Sequence, residues 1–113
     1  MAVESVVLAA RAMDGLNMRM AALAFNLANA NSPGFRSLKV DFEASLRTAA
    51  QRGSEAVTEV EFAFQRDRAF APDEDRREDL LLVDSAQTAQ RFAALADMVG
   101  RRLAMVSATM GAR

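Results

Sequence analysis

The chain has 113 residues, 51% of them hydrophobic and 26% charged, with a formal net charge of −1. That length supports one modest domain with material for a core, and the near-neutral balance gives no global field to hold nucleic acid, although thirteen of the fourteen basic residues are arginine. With no cysteine there are no disulfides or thiolate metal sites, and with no histidine the commonest general base and metal ligand is missing, so no catalytic, cofactor-binding or metal-binding residue is expected.

The first predicted element is a long helix within residues 1–31. Ala2, Val6, Ala9, Met13, Leu16, Met20, Leu23, Leu27 and Ala30 alternate at spacings of four and three, the seam of a heptad helix. At about 1.5 Å per residue, a helix from Val3 to Asn29 is roughly 40 Å long. No charge occurs between Met20 and Ala30, and Ala21, Ala22, Ala24, Phe25 and Ala28 widen the apolar surface, so this helix calls for burial on more than one side. Neither a cleaved signal nor a membrane span is expected: Glu4 precedes the first basic residue, and Glu4, Arg11, Asp14 and Arg19 interrupt the apolar stretch.

The helix stop is spelled out by Asn26-Leu27-Ala28-Asn29-Ala30-Asn31-Ser32-Pro33-Gly34-Phe35-Arg36. The asparagines suit the unpaired backbone groups of a last helical turn, which places the end near Asn29 to Asn31. Pro33 lacks an N–H and pushes Ser32 away from helical torsions, and Gly34 accepts the positive φ needed at the third position of a type II turn. Phe35, just past the turn, is placed to fold back on the helix. Taken alone, the segment is an ordinary helix stop with a hydrophobic latch.

Leu38 to Arg47 then predicts a short amphipathic helix, with Leu38, Phe42, Leu46 and Ala49 or Ala50 on one side, packed back on the long helices. Val60, Phe62 and Phe64 alternate with Glu61, Ala63 and Gln65, a period of two that predicts a short strand or hairpin arm. Arg66 to Asp79 is highly charged and contains Pro72, which predicts a solvated loop. Asp75 and Glu78 resemble a capping box ahead of the final helix, residues 80–113. There Phe92, Leu95, Val99, Leu103, Val106 and Met110 form a stripe repeating at eleven residues, the spacing of nearly straight packing. Ala86, Ala89, Ala93, Ala96 and Gly100 give a second, small-residue face. Arg76-Arg77 and Arg101-Arg102 lack the aromatic platform of a nucleic-acid site. The fold class is mainly α: long N- and C-terminal helices paired in a coiled-coil-like hairpin, with a short middle helix, a small β element and a variable charged loop between them. Two packing faces on each terminal helix exceed what one hairpin covers, and a hairpin that dimerises into a four-helix bundle also fits this pattern.

Asn26, Ala28, Asn29, Ser32, Pro33, Gly34, Phe35 and Arg36 match, position by position, a pattern of Asn, any residue, Ala, Asn, two variable residues, Thr or Ser, Pro, Gly, aromatic, basic. This resembles the N-terminal signature of bacterial flagellar axial proteins, the rod, hook and hook-associated family. The resemblance covers about residues 1 to 50 and 80 to 113. Ser32 stands where Thr is commoner, and the middle is shorter than usual and lacks a His often found there. No room exists for the extra domains of hook and distal-rod proteins, so the chain is most similar to the proximal rod proteins, and among them to the FlgB type, with the FlgC type next.

The resemblance implies a single axial rod domain over residues 1–113, a structural protein of the basal-body rod in the periplasm, passed through the flagellar type III export apparatus without a cleaved signal. It implies partnership with copies of itself, other rod proteins and a base-ring adaptor protein, without nucleic acid or a direct membrane span. The turn residues would be a connector, and Met13, Leu16, Met20, Leu23, Leu27, Phe92, Leu95, Val99, Leu103, Val106 and Met110 would be the assembly and packing positions. Two other classes are a soluble helical adaptor or chaperone, and a small carboxylate enzyme using Asp73, Glu74, Asp75, Glu78 and Asp79. The second lacks any pocket or perturbing partner in the sequence.

Overall fold

A computed structural model of the chain describes residues 2–66 and 74–111, with side chains from residue 5 in the first helix and from residue 78 in the last. The fold is mainly helical: α1 (Ala2–Ala28), β1 (Leu38–Lys39), α2 (Glu43–Arg52), α3 (Ser54–Glu59), β2 (Gln65–Arg66) and α4 (Glu74–Gly111). The molecule is elongated, 62 × 26 × 14 Å, because its length is that of one 38-residue helix.

α1 and α4 form the hairpin. Leu23 and Leu81 share one groove and Ala12 and Leu16 share another with Leu95, so the helices run antiparallel and Ala2 falls opposite about residue 104 at a common rise per residue. The predicted seam is half right. Ala9, Leu16, Leu23 and Ala30 are buried, but the alternate row is not: Met13 is half-buried, and Met20 and Leu27 are 38% and 41% exposed. In a straight helix of 3.6 residues per turn the two rows of a heptad lie on either side of the contact line. The contact line here runs toward Ala22 and Asn26 instead, because the middle segment packs on that side.

That segment departs most from the sequence reading. Helix α2 begins at Glu43, not Leu38. Leu38 and Lys39 instead pair antiparallel with Arg66 and Gln65, which holds them extended and out of the helix. Val60, Phe62 and Phe64 lie outside regular structure, and the strand forms one step later, at Gln65–Arg66. Helix α3 was not anticipated. It is split from α2 by Gly53, whose φ of 113° stops the helix where a side-chain-bearing residue would be strained.

The core is built around α2 and α3 against α1: Leu16, Ala22, Val40, Phe42, Leu46, Ala49 and Val57, flanked by Phe62, Phe92 and Leu95. Phe42 lies directly on Gly15, where an added Cβ would stand 2.6 Å from its ring. The Phe42 and Phe62 rings meet at 5.5 Å with an interplanar angle of 52°.

Helix α4 starts at Glu74 rather than Leu80, and α1 stops at Ala28 rather than in 29–31. Residues 74–79 of the expected loop are therefore helical, which puts Asp75 inside the helix and not at its cap. Asp73, Pro72 and the rest of 67–73 lie outside the described residues, as does the end of the predicted final helix at 112–113.

Candidate functional site

The helix exit is built by the asparagine-rich segment. The Asn29 N–H donates to the Phe25 carbonyl at 3.1 Å and its side-chain Nδ2 donates to the same oxygen at 2.8 Å, which satisfies an end-of-helix acceptor. Ser32 N–H donates to Asn29 O, and Phe35 N–H to Ser32 O at 3.2 Å, with Gly34 at φ 74°. This is the geometry expected of the third position of a type II turn. Phe35 returns to the helix, its ring 5.6 Å from that of Phe25 at 56°.

Asn26 does something the sequence did not suggest. It is 2% exposed, and its amide makes a two-way clasp on Leu38: Nδ2 donates to the Leu38 carbonyl and Oδ1 accepts from the Leu38 N–H, both at 2.7 Å. A side-chain amide presents a donor and an acceptor side by side, as a strand residue does with its own N–H and C=O, so Asn26 acts as a one-residue strand on the free edge of β1. Ala28, Ser32, Pro33 and Arg36 are exposed. The Arg36 carbonyl accepts from Arg66 Nη1 at 3.3 Å.

Below the exit lies a second brace. Arg19 donates through Nε and Nη2 to the Val40 carbonyl at 3.2 and 2.6 Å, and through Nη1 and Nη2 to the two carboxylate oxygens of Glu43 at 2.7 Å each. Its guanidinium also sits 4.7 Å from the Phe42 ring centroid. The Arg19 hydrogen bonds hold the Glu43 carboxyl down to about 2, overcoming partial desolvation, with the Phe42 N–H as a further donor. Glu43 in turn raises the pKa of Arg19. Two turns earlier along α1, Arg11 repeats the arrangement: it donates to the Val60 carbonyl that ends α3, pairs with Asp14 at 3.1 Å and lies 4.2 Å from the Phe62 centroid.

Arg11, Gly15, Arg19, Ala22 and Asn26 thus share one face of α1, at spacings of four and three. Sequence reasoning missed this set by treating Arg11 and Arg19 only as interruptions of an apolar run. Their spacing, with a glycine between them, was the available signal. A groove of ≈530 Å³ opens beside this face, lined by Arg19, Asn26, Lys39, Asp84, Gln87 and Arg91 among others. Among the described residues, no group of three or more His, Cys, Asp and Glu is placed to hold a metal ion.

Among the described residues, nothing covers the opposite face of the hairpin. Met20 and Leu27 on α1 are seven residues apart, as are Leu82, Ala89, Ala96 and Leu103 on α4. Met20, Leu27, Leu82 and Leu103 are 38–55% exposed, Ala89 is exposed and Ala96 half-buried. Of the other expected packing positions, Met13, Phe92, Leu95 and Val99 are half-buried within the chain, Leu16 and Leu23 are buried, and Val106 and Met110 are 47% and 68% exposed. No described helix is long and apolar enough to cross a membrane.

No protein-family model matches the chain, and no curated protein matches it.

Proposed function

We propose that this chain is a structural subunit of the bacterial flagellar basal-body rod, of the proximal class and FlgB type, with the FlgC type as the neighbouring assignment. The observation that carries the proposal is the unequal dressing of the hairpin. One face of α1 is taken up by the chain's own middle segment, and the other side of the hairpin presents uncharged residues in heptad-spaced rows on both helices. Exposed apolar area of this extent marks an association surface, and straight rows suit another hairpin laid alongside. The axial-family motif at Asn26 to Arg36 supplies the family.

In this reading the function is mechanical and no bond is broken. The free energy comes from burying the bare face at about 25 cal/mol per Å², reduced by the cost of ordering the subunit on docking. The turn at Ser32 to Phe35 and the Asn26 clasp fix the direction in which the middle segment leaves the long helices. Neighbouring copies, other rod proteins and the base-ring adaptor are the partners, reached through the flagellar export apparatus.

Deleting the gene and fractionating cells tests this. The expected result is loss of swimming, and copurification of the chain with detergent-extracted basal bodies. Normal motility with intact basal bodies refutes it, and a chain that stays soluble on a client protein is an adaptor.

A further inference from the structure

Helix α4 meets the rest of the chain along α1, which leaves a trough between α4 and the segment from Leu38 to Glu43. Two grooves of ≈530 and ≈350 Å³ make up this trough, and both are lined by Glu43 and Arg91. The first is polar, and α4 walls it with Asp84, Gln87, Thr88 and Arg91. The second is apolar, with Ala12, Leu16 and Phe42 facing Ala94 and Leu95.

The polar wall has a symmetry of its own. Asp84 and Arg91 are the only charges between residues 80 and 95. Both are exposed, and neither has a hydrogen bond or ion pair among the described residues. Seven residues separate them, about 10 Å along the helix and well beyond the three or four at which helix side chains meet. The charges across the trough are already matched, Arg19 with Glu43 at 2.7 Å and Lys39 with Asp41 at 3.6 Å. Midway between Asp84 and Arg91 stand Gln87 and Thr88. Thr88 is 4% exposed, and its hydroxyl has no hydrogen-bond partner among the described residues. The row therefore runs acid, amide, hydroxyl, base, and a copy of it turned end for end lays base on acid and hydroxyl on amide throughout. The same turn brings Leu80, 55% exposed, level with Ala94 and Leu95 of the other copy, at the apolar groove.

We infer that two copies of this chain pair through the trough, α4 against α4 and antiparallel about a two-fold axis between Gln87 and Thr88, with Asp84 of each copy on Arg91 of the other. The contact is isologous and closes at two copies. The charges set its direction, because a parallel pair in register places Asp84 on Asp84 and Arg91 on Arg91. The inference does not rest on the rod reading: a shaft whose copies all point one way has no place for an antiparallel pair, so the pair is a form of the unassembled chain.

Sedimentation velocity across a concentration series is expected to show the purified protein passing from monomer to dimer. Asp84→Arg and Arg91→Asp, each alone, bring like charges together twice and should raise the dissociation constant about tenfold or more, with helix content by circular dichroism unchanged. The exchanged variant Asp84→Arg/Arg91→Asp should dimerise as the parent does, and so should an equimolar mixture of the two single variants. Because the chain has no cysteine, introduced thiols report direction. Oxidised Gln87→Cys should give a disulfide-linked dimer and Met105→Cys should not, since the two-fold axis sets the two copies of position 105 about 50 Å apart. Single variants that dimerise like the parent, no restoration by charge exchange, or equal cross-linking at positions 87 and 105 overturn the inference. A parent that is monomeric at every concentration also overturns it and leaves the trough to a partner of different sequence. The rod reading fails separately: a monomer found in basal bodies keeps the rod and loses the pair, whereas a dimer absent from them keeps only the pair.

Discussion

Replacing Gly15 by alanine sets two familiar effects against each other at one position. In an exposed helix interior the change stabilises, because glycine costs about 0.5–1 kcal/mol relative to alanine. At Gly15 the new Cβ would lie 2.6 and 2.7 Å from three carbons of the Phe42 ring, about 1 Å inside the ordinary 3.5–4.0 Å contact distance. Phe42 is 3% exposed, packed on Phe62 and under the Arg19 guanidinium, so retreat disturbs both neighbours at once. Overpacking of this kind costs about 1–3 kcal/mol, and the helix gain offsets part of it. The expected net loss is about 1–2 kcal/mol, or roughly 4–8 °C in melting temperature for a chain of this size. Gly100 supplies the control, since a Cβ there meets nothing within 4 Å; Gly100→Ala should stabilise by about 0.5–1 kcal/mol. Urea unfolding followed by circular dichroism at unchanged m-value measures both. If Gly15→Ala proved as stable as Gly100→Ala, the close seating of Phe42 on α1 would be wrong. A Gly15→Ala/Phe42→Leu double variant recovering more than the single changes sum to would locate the clash.

Asn26→Ala removes both arms of the Leu38 clasp and strands a peptide N–H and carbonyl near the core, for an expected loss of about 2–4 kcal/mol; amide exchange at Leu38 should speed up together with the fall in stability. Acid unfolding should show the Glu43 brace. Its folded-state carboxyl sits at about 2 against an ordinary 4.5, so the stabilisation is complete above about pH 4.5 and drains away as pH falls toward 2. Because the Glu43 side chain is 46% exposed, solvent screening reduces the effect to about 1 kcal/mol. Glu43→Gln should be less stable at pH 7 and lose less between pH 4.5 and 2; an acid limb identical to the parent's would refute the role.

The helices were legible where local and long-range forces agree. The turn at Ser32 to Phe35 follows from Pro33 and Gly34 acting on their own torsions, which needs no tertiary information. The burial of Phe42, Leu46 and Ala49 was visible as a face, but the start of their helix was not. Leu38 and Lys39 have good helical credentials, and they are pulled into a two-residue ladder by partners twelve and about twenty-seven residues away, Asn26 and Gln65–Arg66. Gly53 carried the only local signal for α3, and a lone glycine says little about what lies beyond it. The charge-rich start of α4 looked like loop because composition was weighed above the absence of glycine and proline from 74 to 99. Arg11 and Arg19 were hardest of all: their aliphatic stems and guanidinium faces serve packing while their nitrogens hold carbonyls, and sequence shows only a charge.

The braces have a directional consequence for load. Asn26, Arg19 and Arg11 bind α1 to the middle segment with oriented bonds that tolerate little displacement, while α4 meets the rest of the chain along α1, mostly through Leu, Phe and Ala surfaces. Apolar contact resists separation well and sliding poorly. Under axial force the chain would therefore shear between its two long helices before its braced half deformed.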